Sequence, residues 1–121
     1  MTAKLAATVI GIVFIAVGIL GFVPNPLVSP TGMFAVNTEH NLVHLVSGAV
    51  LLAGAYTGLG ASLALKLIGI IYGAVAVLGL YVGPGMLLGM VHINAADNWL
   101  HVLLALVILA AGFLLPDDKT A

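Results

Sequence analysis

The chain has 121 residues, 63% of them hydrophobic and only 6% charged, where an ordinary soluble domain carries about 25% charged residues. A water-soluble domain this short must cover most of its surface with polar groups, and disorder needs low hydrophobicity and high charge, so both are excluded. With three lysines, no arginine and no cysteine, nucleic acid is a poor partner and thiol chemistry is excluded, which leaves a single transmembrane domain over residues 1–121 with the lipid bilayer as its surroundings.

A bilayer core takes about 20 apolar residues per helix. Residues 5–23 form the first such run, broken only by Thr8. It reads as a retained span rather than a signal peptide. Its apolar stretch exceeds the usual signal core of about 7–15 residues, and Pro24-Asn25-Pro26 follows instead of a small-residue cleavage site. A loop of turn formers continues to Pro30-Thr31-Gly32. The second span is expected over about 37–56, ended by Gly58 and Gly60, and the third over about 62–82, before Gly83-Pro84-Gly85. The fourth covers about 94–115, closed by Pro116-Asp117-Asp118. Gly69 and Gly73, and Gly11, Gly18 and Gly21 in the first span, permit close helix approach. Trp99 and Tyr81 suit the outer interface and Tyr56 the inner one.

Four spans put both termini on one side. Lys4, Lys66 and Lys119 all fall on that side, and the opposite loops, about 24–38 and 83–96, carry no Lys or Arg. By the positive-inside rule both termini are cytoplasmic.

The halves repeat. Residues 9–21 (VIGIVFIAVGILG) and 67–79 (LIGIIYGAVAVLG) are identical at seven of thirteen positions, at an offset of 58. Polar residues repeat too, at an offset of 57. Asn37-Thr38-Glu39-His40-Asn41-Leu42-Val43-His44 aligns with Asn94-Ala95-Ala96-Asp97-Asn98-Trp99-Leu100-His101. Each copy opens the second helix of its half. The expected fold is therefore all-α, a four-helix transmembrane bundle of two parallel two-helix repeats, one over about 5–58 and the other over about 62–116. A pseudo-two-fold along the membrane normal relates them.

Asn37 and Asn94 are natural N-caps, and Glu39 and Asp97 fall in first turns, where the helix dipole favours negative charge. His40, Asn41 and His44 share one helix stripe, as do Asp97, Asn98 and His101. His44 and His101 lie about 10 Å along their helices from the caps, at the outer edge of the hydrocarbon, where polar groups face the bundle interior. The repeat axis would bring these two histidines together, with His92 at the same end.

Three readings follow. In the leading one, Asn37, Asn41, Asn94, Asn98 and the histidines cap helices and bond across spans, with no cofactor, at about 0.6 kcal/mol per bond. In the second, His40, His44, Asp97 and His101 hold a divalent transition metal, since imidazole with carboxylate suits zinc, iron, nickel or copper, and the asparagines orient the ligands. In the third, His44 and His101 hold a b-type haem, although its propionates would find no cation on the outer side. Ser47, one turn below His44, can bond to that histidine or to its own helix backbone.

No nucleophile–base–acid set or nucleotide loop occurs, and no charge lies at a bilayer midplane. The expected function is thus non-enzymatic. It is that of an accessory or scaffolding protein packing as a homo-oligomer or in a larger membrane complex, with metal or haem binding as the alternative.

Residues 37–45 (NTEHNLVHL) and 96–101 (ADNWLH), with Phe34-Ala35-Val36 before the first motif, resemble a family of small bacterial membrane proteins, a domain of unknown function. The resemblance covers nearly the whole chain. It implies a four-span protein of the bacterial inner (cytoplasmic) membrane and no activity.

Overall fold

In the computed structural model, which describes residues 1–117, the elements run α1 (Ala3–Leu20), β1 (Val28–Ser29), β2 (Phe34–Ala35), α2 (Thr38–Tyr56), α3 (Ala61–Val82), β3 (Gly85–Leu87), β4 (Val91–Ile93) and α4 (Ala95–Leu114). Asp118, of the expected closing turn, and Lys119, of the charge count, lie outside the described residues. The chain is all-helical apart from two short strand pairs, and three of its helices, α1, α3 and α4, are long and apolar enough to cross a membrane. Among the described residues α2 does not reach that hydropathy, because its first half carries Glu39, His40, Asn41, His44 and Ser47.

Three helix starts are set by side chains. Thr2 accepts from the Leu5 amide, Asn37 from the His40 amide and Asn94 from the Asp97 amide, each satisfying a donor that a helix start leaves orphaned. Helix α1 ends at Leu20, three residues before the apolar run does. Asn25 caps that end: its side-chain amide nitrogen lies 3.0, 2.6 and 2.7 Å from the carbonyl oxygens of Leu20, Val23 and Val28, which share its two protons, while its oxygen accepts from the Leu27 and Val28 amides. This one side chain folds the loop between α1 and α2 back on itself. The segments read as plain loops each hold a strand pair, β1 with β2 in parallel and β3 with β4 in antiparallel.

Helix α1 packs chiefly on α2, and α3 on α4. The core between them is built from Ala3, Ala7, Phe14, Leu51, Leu65, Tyr72 and Ile108. Outward faces stay apolar: Val46, Val77 and Leu106 are each more than 60% exposed, a belt suited to lipid rather than water. Helices α2 and α3 pack on each other, whereas α1 and α4 barely touch. At one end the latter two are tied by the Ala3 amide donating to the Pro116 carbonyl at 2.9 Å, and towards the other they part.

Candidate metal centre

The repeated polar motif divides into two kinds of residue. The asparagines hold the architecture. Asn94 and Asp97 form a reciprocal capping box, with the Asp97 carboxylate accepting from the Asn94 amide at 3.0 Å. Each cap also reaches into the other half of the chain. The Asn37 side-chain amide donates to the Met90 carbonyl at 2.8 Å, and that of Asn94 to the Met33 carbonyl at 2.9 Å. The Asn98 amide donates to the Gly79 carbonyl at 3.0 Å. A Cβ at Gly79 would overlap Asn98 Oδ1, and one at Gly21 would overlap Asn41 Oδ1. These two glycines thus leave room for the asparagine of the neighbouring helix. Gly73, the second glycine of the expected close-approach pair, has only a distant neighbour, Ala105 Cβ at 3.9 Å.

His40, His44 and His101 come together from α2 and α4, all buried, with one candidate ligand atom from each lying within 4.8 Å of the others. The ring centroids of His40 and His44 are 4.6 Å apart, and those of His40 and His101 are 5.7 Å apart. Beneath them Phe14 lies 5.8 Å from His44 and Tyr72 lies 5.7 Å from His101, with 5.1 Å between Phe14 and Tyr72. Phe14 and Tyr72 occupy matching positions in the two repeated segments.

One tautomer follows from the bonding. His40 Nδ1 lies 2.7 Å from the His92 carbonyl oxygen. A carbonyl only accepts, so Nδ1 carries the proton, and in the neutral ring Nε2 keeps its lone pair. His44 Nδ1 and His101 Nδ1 are buried with no hydrogen-bond partner, as are Asn41 Oδ1 and Asn98 Oδ1 nearby in the motif, which is uncommon for a native interior. His92 contributes its backbone to this region rather than its ring: its amide donates to Asn37 Oδ1 at 3.3 Å. Asp97 lies outside the group of three, with its carboxylate turned to its own helix start. Ser47 takes the second of its two expected courses. It donates to the Val43 carbonyl at 2.7 Å, and its hydroxyl lies 3.0 Å from that of Tyr72.

A crevice leads to the cluster. Between α1, the loop that joins α1 to α2, and α4 lies a cavity of about 290 Å³ lined by Val13, Phe14, Phe34 and Leu104 among others, and also by the buried His44, His101 and Asp97. Sequence reasoning had no signal for it, because it is a gap between helices far apart in the chain.

Comparison with curated proteins and with solved structures returns no match. A family model does match, over residues 4–114. The chain therefore belongs to the family described as "Domain of unknown function (DUF4383)".

Proposed function

We propose that the chain is a four-span protein of the bacterial inner membrane, a single domain of two parallel repeats, that holds one divalent transition-metal ion on His40, His44 and His101. The observation that carries this reading is the convergence of three buried imidazoles whose donor atoms lie within 4.8 Å of one another. A tetrahedral ion with bonds of about 2.0–2.1 Å spaces its ligands about 3.3 Å apart, so modest ring rotations close the set around it. Neutral imidazole suits zinc, copper, iron and nickel. His40 already has the arrangement of a metal-bound histidine, with one ring nitrogen donating to a backbone carbonyl and the other free. The buried, unpartnered nitrogens of His44 and His101 would gain a partner. Asp97 supplies a counter-charge on the same crevice while remaining the cap of its helix. Haem fits less well, because the ring of His40 packs against both imidazoles that would have to flank a macrocycle.

The repeat symmetry is supported by the exchanged bonds of Asn37 and Asn94 and by the matched Asn41–Gly21 and Asn98–Gly79 contacts. A cytoplasmic placement of both termini is supported by Lys4 and Lys66. These lie over the rings of Tyr56 and Phe113, near the chain termini and away from the histidines. A second reading, an accessory or scaffolding subunit in a homo-oligomer or larger membrane complex, is favoured by the wholly structural work of the capping asparagines and by the exposed apolar belt.

Elemental mass spectrometry on protein purified in mild detergent, without chelator or affinity histidines, separates the two. The metal reading expects about one ion per chain, lost in His44→Gln and in His101→Gln while the fold survives. A clean blank for the wild-type protein overturns it and leaves the accessory reading.

A further inference from the structure

The two seams between the halves of the chain differ in where they lead. Phe14 and Leu104 stand in the α1/α4 seam at the offsets that place Tyr72 and Ser47 in the α2/α3 seam. In the α2/α3 seam the two hydroxyls meet at 3.0 Å. The outer groove there, about 480 Å³ and lined by Val46, Ser47, Val50 and Ile71 among others, includes no histidine and no acid. Phe14 and Leu104 have no polar group to bridge the other seam, and its crevice runs through to His44 and His101.

We propose that the α1/α4 crevice is a lateral entrance from the membrane for a lipid-soluble molecule with an apolar body and a neutral carbonyl head, the chemistry of a quinone, whose carbonyl oxygen meets the histidine cluster. The proposal rests on the reading of that cluster as an ion site, since an ion held by three imidazoles keeps a fourth position open. The walls disfavour polar and charged occupants. Apart from His44, His101 and Asp97, every residue lining the crevice is apolar, so a file of water would leave most of its hydrogen bonds unmade. None of the lining residues is Lys or Arg, so no side chain would neutralise a carboxylate or phosphate head as it crossed the apolar walls from the bilayer. The volume, about 290 Å³, stands at the lower end of small-ligand sites and takes a headgroup with the first part of a tail. Val9 and Val13, on the α1 wall, are about half exposed on the membrane-facing side, so the tail can stay in lipid.

The test is photolabelling in lipid nanodiscs with a decyl-tailed azidoquinone, alongside a diazirine-bearing palmitic acid, with metal content measured on the same samples. Val13→Trp and Leu104→Trp fill the crevice from opposite walls without altering a histidine. The expected result is azidoquinone adducts on the α1 and α4 walls, at least tenfold fewer in either variant, with metal retained. Absence of wall adducts in metal-loaded wild-type protein, or equal labelling of both filled variants and wild type, overturns the proposal alone. Palmitic acid labelling the walls as well as the azidoquinone does overturns the neutral-head assignment. Metal-free wild-type protein overturns the ion reading, and with it the proposed contact between carbonyl and ion.

Discussion

Between α2 and α3, Tyr72 reaches Ser47 and two hydroxyls meet; at the matching places between α1 and α4, Phe14 and Leu104 have nothing to exchange. In water this difference would count for little, because apolar side chains would close the second seam by themselves. In a bilayer lipid tails are as apolar as the helices, so packing has no hydrophobic drive and a polar bond between spans has a larger share of the work. Losing one such bond leaves a seam free to part. The pair of seams thus teaches that, between apolar helices, one pair of hydroxyls is enough to set one seam apart from the other.

The comparison can be broken most severely at the histidines. His44 belongs to the first half and His101 to the second, and both are buried in the same cluster. Replacing either with Gln is expected to lower metal affinity by at least 100-fold, beyond the 10–100-fold typical of losing an outer-shell partner, as measured by competition with a chelator of known affinity. If only His44→Gln has this effect, the site belongs to α2 alone and the halves do not share it.

The helix contacts come next. Gly21→Ala and Gly79→Ala each drive a methyl into the asparagine of the neighbouring helix, and each is expected to cost about 1–3 kcal/mol in reversible unfolding from mixed micelles. Equal costs would mark the two halves as equivalent in packing. The caps are smaller. Asn37→Ala and Asn94→Ala are each expected to cost about 1–2 kcal/mol, from the lost cap and the lost bond to the opposite loop, read in the same assay.

The smallest expected effect addresses the seams themselves. Tyr72→Phe removes the bond to Ser47 and is expected to cost about 0.6 kcal/mol. Accessibility of the α2/α3 seam to a lipid-soluble photoprobe should rise. The reverse exchange, Phe14→Tyr with Leu104→Ser, should narrow the α1/α4 crevice and lower labelling there.

The sequence made the helices legible because apolar run length and breaker residues are local signals, and the caps because Asn94 and Asp97 lie three apart. The same local signal decided what Asp97 does. One of its carboxylate oxygens has a donor in its own helix start, and the carboxylate lies outside the group of three histidines. The convergence of His44 and His101 could be inferred from the repeat, and the membership of His40 from its place one turn before His44. The end of α1 at Leu20 was hidden, because it depends on Asn25 folding back from the loop. The Asn41–Gly21 fit was hidden too, because it depends on the rotational setting of two helices that no single-helix pattern encodes. The α1/α4 crevice had no positive signal at all; only the paired difference of Phe14 from Tyr72 and Leu104 from Ser47 marks it, and that difference acquires meaning once the seams are seen.

The exchanged bonds of Asn37 with Met90 and Asn94 with Met33 have a kinetic consequence. Each helix that carries the histidines begins with a residue clamped to the far half's loop, so neither start frays without releasing the opposite loop. The end of the molecule that carries both loops then opens as one cooperative unit. Amide protons near residues 33, 37, 90 and 94 should exchange with solvent at a common rate, and a cut in either loop should speed exchange in both.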